Sequence, residues 1–208
     1  SADVDATTPE DASEPVDAGP PPPATPSEAG QVVITEFQCK PAGYADDGLA
    51  EWVELYNPSD TTSYDLSGCY FEDTPNDGDY QFAATLVLGP HEYRVIASNT
   101  ATLATHGFVS DATYGTTGTG LSSSGDNPTI RCGNTIIDTV SYSSGAGFVS
   151  CATNPGHTFQ LDPSHLTSTD NDAGANWCVS AALFYDAVPG ADGGENYGSP
   201  RAANVACG

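Results

Sequence analysis

Two stretches decide the fold: VVITEF at Val32–Phe37, and GLAEWVELYNPSDTTSYDLSGCYF at Gly48–Phe71. The first is a run of β-branched and aromatic residues of strand length. In the second, Glu51–Tyr56 alternates apolar and polar side chains until Asn57-Pro58-Ser59-Asp60 stops it with dense turn chemistry. Leu66-Ser67-Gly68 then opens another extended segment. Alternation puts Val53 and Leu55 on the core face of their strand. It leaves Trp52, Glu54 and Tyr56 on an outer or partly covered face, with Trp177 as the alternative plug for one end of the fold.

Working outward, the same grammar continues. Leu66–Glu72, Tyr80–Ala83, Glu92–Ser98, Pro128–Cys132, Thr135–Tyr142 and Thr158–Leu161 are the further strand candidates. Asn76-Asp77-Gly78-Asp79 and Gly89-Pro90-His91 are turns. Gly133-Asn134 reads as the two-residue turn of a hairpin, IRCGNTIIDTV. One short helix is expected near Thr100–Thr105, before Gly107. Many short strands with little helical periodicity indicate an all-β sandwich or barrel.

Residues 1–30 are a different material, with seven Pro, seven acidic residues, no basic residue and no aromatic one. Such a segment buries too little apolar surface to offset the entropy of ordering it. It is expected to be a disordered acidic, Pro-rich tether, with the folded domain at 31–208. A lipid anchor further upstream is compatible with a tether of this kind.

The chain of 208 residues has 28 acidic and four basic residues (Lys40, Arg94, Arg131, Arg201), for a net charge of −24. That balance argues against nucleic acid, whose affinity comes from Lys and Arg neutralising phosphates, and against anionic lipid. It favours divalent cations and basic partners. Methionine is absent, which suits a processed secretory protein. No apolar run approaches the roughly 18 residues that cross a bilayer. Cys39, Cys69, Cys132, Cys151, Cys178 and Cys207 are even in number and contain no Cys-x-x-Cys. They suit three disulfides in an oxidising compartment better than a thiolate metal site, and their pairing is open.

The ordered series Ile34-Thr35-Glu36-Phe37, Glu51–Asn57 (EWVELYN), Asp65-Leu66-Ser67-Gly68, Leu86–Pro90, Leu121–Asp126, Ile130–Tyr142, Gly174–Trp177 and Gly198–Asn204 (GSPRAAN) resembles the lamin tail domain as it occurs in bacterial secreted and surface proteins. The resemblance implies an immunoglobulin-like β-sandwich. It also implies a non-catalytic role in binding, adhesion or scaffolding at a cell surface. A structural subunit of a surface assembly, or an accessory module of a secreted hydrolase, is the alternative. Partners would be proteins, glycans or further copies of the chain. The six cysteines and the long Ser143–His157 loop depart from the family pattern.

Chemistry-bearing residues give weaker signals. His91, His106, His157 and His165 form no compact ligand motif, and neither GxSxG nor a phosphate-cradling loop is present. Glu36 is expected near Glu51 or Glu54, where a carboxylate pair can exchange protons or hold a cation, although such pairs are more often structural. Asp73, Asp77 and Asp79, and Asp170 with Asp172, are oxygen-rich loops that calcium would favour. Neither has EF-hand spacing, and Asp, Asn and Gly also build turns unaided. Tyr44, Tyr64, Tyr70, Tyr80, Tyr114, Tyr142, Tyr185 and Tyr197 lie in or beside loops, where tyrosine makes contacts to partners.

Overall fold

The structure, a computed structural model, describes residues 19–73, 78–116, 119–186 and 194–208. Its strands are β1 (Val33–Gln38), β2 (Trp52–Tyr56), β3 (Tyr64–Asp65), β4 (Tyr70–Glu72), β5 (Asp79–Gln81), β6 (Val87–Leu88), β7 (Tyr93–Ala97), β8 (Ala112–Thr113), β9 (Gly125–Asp126), β10 (Thr129–Cys132), β11 (Thr135–Thr139), β12 (Tyr142–Ser143), β13 (Phe159–Leu161), β14 (Trp177–Val179), β15 (Leu183–Asp186) and β16 (Glu195–Tyr197). A six-stranded sheet runs β14-β13-β1-β2-β7-β8, and a four-stranded sheet runs β11-β10-β4-β5. Three two-stranded ribbons, β12-β9, β15-β16 and β3-β6, complete it. This is the expected all-β, immunoglobulin-like sandwich.

The core between the sheets is built by Phe37, Val53, Leu55, Phe71, Ile96, Ile130, Phe159 and Trp177. Trp177 is thus a strand residue inside the core, its indole N–H donating to the Asn171 carbonyl at 2.7 Å. The helix appears as α1 (Thr100–Ala104), capped by Asn99, whose side chain accepts from the Ala101 and Thr102 amides. The tight hairpin turns at Gly133-Asn134 as read.

Three expectations are corrected. All five residues of β2 are buried: Trp52 belongs to a second cluster, with Val95, Leu103 and Tyr185, on the outer face of the six-stranded sheet. Leu66–Glu72 is not one strand, because the Cys69 amide closes a turn on the Leu66 carbonyl and Gly68 takes a φ of 81°; the strand starts at Tyr70. Thr135–Tyr142 breaks after Thr139, and Tyr142 pairs with Asp126 in a separate ribbon.

Residues 24–30, read with the tether, are tied to the domain. Ala24 bridges Tyr64, and the Gly30 amide donates to the Ile137 carbonyl at 2.8 Å. The three disulfides are Cys39–Cys151, Cys69–Cys132 and Cys178–Cys207. Among the described residues, no helix is long and apolar enough to cross a membrane.

Candidate functional site

β1 ends at Gln38, and the chain passes through Cys39 into the loop 40–45. The loop after the second half-cystine, Cys151, comes back to the same place, and β16 closes the third side. These segments enclose an open cleft of about 560 Å³, lined by Lys40, Tyr44, Pro155, His157, Glu195 and Tyr197 among others. That volume is in the range of small-molecule sites.

Each wall is fixed to the next. The Cys39–Cys151 disulfide joins the bases of two walls. The Gly156 amide donates to the Lys40 carbonyl at 2.7 Å, and the Gln38 side chain donates to the Gly156 carbonyl at 2.9 Å. Asn196, fully buried, both accepts from the Ala42 amide and donates to the Ala42 carbonyl. Gly156 needs to be glycine: its φ is 83°, and a Cβ would run into the Glu195 carbonyl.

The rings are held as firmly. His157 and Tyr197 stack with centroids 4.3 Å apart and planes 4° from parallel. His157 Nδ1 lies 2.7 Å from the Ser180 carbonyl. A carbonyl only accepts, so Nδ1 carries a proton, and in the neutral ring Nε2 is then the acceptor. Tyr44 donates to the Tyr185 hydroxyl at 3.1 Å and meets His106 edge-on; burial pushes its own hydroxyl pKa up. The cleft also carries one charge of each sign, Lys40 and Glu195.

Behind the cleft, on the outer face of the large sheet, Glu36 and Glu54 stand opposite each other across β1 and β2. Both are fully buried, because the segment Gly198–Asn204 crosses over them. Glu36 accepts from the Thr158 hydroxyl at 2.5 Å and from the Ser199 amide at 3.0 Å. Glu54 accepts from the Thr35 hydroxyl at 2.9 Å and from the Arg201 amide at 2.6 Å. Burial pushes the Glu36 carboxyl up to about 7. Burial, and then the neighbouring Glu36 charge, raise Glu54 well above the carboxylate range. Asn204 anchors the end of the crossing by donating to the carbonyls of Thr35 and Leu161.

The EWVELYN strand lies beside these carboxylates and the GSPRAAN segment crosses above them. A family model for the lamin tail domain matches residues 25–144, more than half of the chain. The chain belongs to the lamin tail domain family. No curated protein and no solved structure matches it. A lamin tail domain is an immunoglobulin-like module, typically a non-enzymatic one. In this one the strands that complete the large sheet, β13 and β14, come from residues beyond the match.

The other sequence candidates fall as follows. Glu36 lies beside Glu54, as one of the two expected arrangements had it. Glu51 sits elsewhere, accepting from the Leu121 amide at 2.8 Å. Asp73 is buried, Asp79 pairs with Arg131 at 3.3 Å, and Asp77 lies outside the described residues. Asp170 accepts from the Thr167 hydroxyl and Asp172 is exposed. The buried member of that loop is Asn171, which donates to Asp138 at 2.7 Å. Among the described residues, no group of three or more His, Cys, Asp or Glu side chains is placed to hold a metal ion. All six cysteines form disulfides.

Of the tyrosines, Tyr64, Tyr114, Tyr142 and Tyr185 are buried structural residues. Tyr44, Tyr70, Tyr80 and Tyr197 are partly exposed. Only Tyr44 and Tyr197 line the cleft. His157 and Lys40 were not singled out for it by any spacing. The one signal was their placement next to half-cystines and turn residues.

Proposed function

We propose that this lamin tail domain is an exported, non-catalytic recognition module that presents the cleft at 40–45, 155–157 and 195–197 to a neutral carbohydrate on or near a bacterial cell surface. The observation that carries this reading is the cleft, whose walls and aromatic rings are fixed before any ligand arrives. Preorganisation lowers the ordering cost of binding. Aromatic faces suit the apolar C–H faces of a sugar ring. Lys40 donors, the His157 Nε2 acceptor and Glu195 acceptors suit its hydroxyls. The opposed charges of Lys40 and Glu195 favour a neutral ligand over an ionic one. Three disulfides agree with an oxidising compartment, and the acidity of the chain opposes polyanionic partners.

The test is calorimetric titration with neutral oligosaccharides of differing linkage, repeated on Tyr197→Ala and Tyr44→Ala. Binding that each variant weakens by about tenfold or more, a loss of about 1.4 kcal/mol, supports the reading. Absence of binding by every neutral sugar, or binding indifferent to both variants, refutes it.

Self-association is the second reading. It is favoured by a separate groove of about 320 Å³, lined by Tyr80, Phe82 and Ala112, between the edge strands β5 and β8 of the two sheets. Uncovered edges are where strands of another copy pair. A concentration-independent monomer in analytical ultracentrifugation would dismiss it.

A further inference from the structure

We propose that Glu36 and Glu54 form a proton-held clasp that keeps the cleft assembled: with a proton retained between them, the crossing segment and two cleft walls stay bound to the sheet, and loss of that proton loosens all three. The inference concerns regulation of the cleft assigned above and takes its functional meaning from that reading, although its test needs no ligand.

The geometry makes Glu36 the joint. Its carboxylate accepts from Thr158, the residue after His157, and from Ser199, two residues after Tyr197. The two rings of the stacked pair are therefore tied through one side chain. The walls are also laced by backbone bonds, Tyr197 amide to Gly156 carbonyl at 2.8 Å and Thr158 amide to Tyr197 carbonyl at 3.0 Å. Gly198 passes so close that a Cβ there would lie 3.0 Å from Glu36 Oε1. Glu54 holds the next part of the crossing through the Arg201 amide.

Two like charges side by side in a buried setting cannot both ionise without large cost. The donors that reach them, hydroxyls and amides, are neutral. The charged and titratable groups around them do not offset a second negative charge. Tyr93, facing them from β7, has its hydroxyl pushed up to about 12 by burial and by the charges of Tyr56 and Glu54. Arg201 turns its guanidinium to Asp111 at 3.0 Å, and Arg94 also pairs with Glu92 and Asp111. His157 bonds to the Ser180 carbonyl. Burial holds Glu36 up to about 7 and raises Glu54 well above the ordinary carboxylate range, so the two titrate as a pair above that range.

The test is amide hydrogen exchange of the whole chain, corrected for the intrinsic rate, between pH 5.5 and 8.5. Protection of the Thr158, Tyr197 and Arg201 amides should fall by about tenfold or more as pH rises, while the Val53 amide in the core keeps its protection. In Glu54→Gln, which carries one ionisable group fewer, that fall should shrink to about threefold or less. A flat profile in the unmodified protein, an equal fall in Glu54→Gln, or a parallel loss at Val53 overturns the clasp. Should Glu54→Gln not fold, carbon-detected titration of the unmodified protein decides. Two glutamate carboxyls titrating together above pH 6 support the clasp, and all glutamates titrating in the ordinary range refute it.

Discussion

Asn196 and Ala42 hold each other reciprocally across 154 positions of sequence. The Ala42 amide donates to Asn196 Oδ1 at 3.0 Å, and Asn196 Nδ2 donates back to the Ala42 carbonyl at 3.1 Å. A fully buried side chain thereby stands in for a missing strand partner and sets the width of the cleft. Asn196→Ala leaves two partly buried backbone groups of Ala42 without this partner, at up to about 1–3 kcal/mol each before water relaxes the loss. The expected result is a lower chemical-denaturation midpoint, with faster amide exchange at Ala42 while the amides of β10 and β11 keep their rates.

The Cys39–Cys151 disulfide spans 112 positions and Cys178–Cys207 spans 29. By loop entropy alone, removing the first costs about 1 kcal/mol more than removing the second. It also frees the bases of two cleft walls. Cys39→Ser with Cys151→Ser should therefore lose more stability than Cys178→Ser with Cys207→Ser. Only the first pair should expose the 40–45 loop to limited proteolysis.

Gly156→Ala meets two obstacles, a left-handed φ of 83° and the Glu195 carbonyl in the path of its Cβ. The loss should exceed about 2 kcal/mol by thermal denaturation. Gly133→Ala, at a φ of 58° with nothing near its Cβ, should cost about 1 kcal/mol.

Stability should fall as pH rises from about 4 to about 7. Asp138 accepts from the Ile34 amide at 2.6 Å and from Asn171, and burial pushes it up to about 7; Glu36 behaves alike. In the unfolded chain both ionise near their ordinary values, so across that window the folded state holds more protons. The stabilisation is complete below the unfolded values and is lost as pH approaches the folded ones. Denaturation midpoints at several pH values read the slope directly. Asp138→Asn keeps an acceptor oxygen while removing the ionisation, and should flatten part of it.

How much of this was legible depends on sequence distance. Val32–Phe37, Glu51–Tyr56 and the Gly133-Asn134 hairpin announce themselves because their signals lie within one window, and so does the helix behind Asn99. The strands Tyr64–Asp65 and Val87–Leu88 are two residues each, too short for any period to show. Trp52 was read onto an outer or partly covered face because alternation assumes one wet side, and here Phe184, Tyr185 and Gly198 close over it completely. The cleft was hidden for the same reason. His157 and Tyr197 meet through a single bridge between segments 40 positions apart, and no local pattern encodes that meeting. The carboxylate pair was foreseeable as neighbours on adjacent strands, whereas their burial was not.

The course of β1 has a geometric corollary. The chain comes in from Ala24 and Gly30 at the Val33 end of this strand, opposite Tyr56, and delivers Lys40 to the cleft past its other end. Six residues of strand span about 20 Å. A domain held through its N-terminal side would thus carry this cleft at the opposite end of β1, turned away from the support.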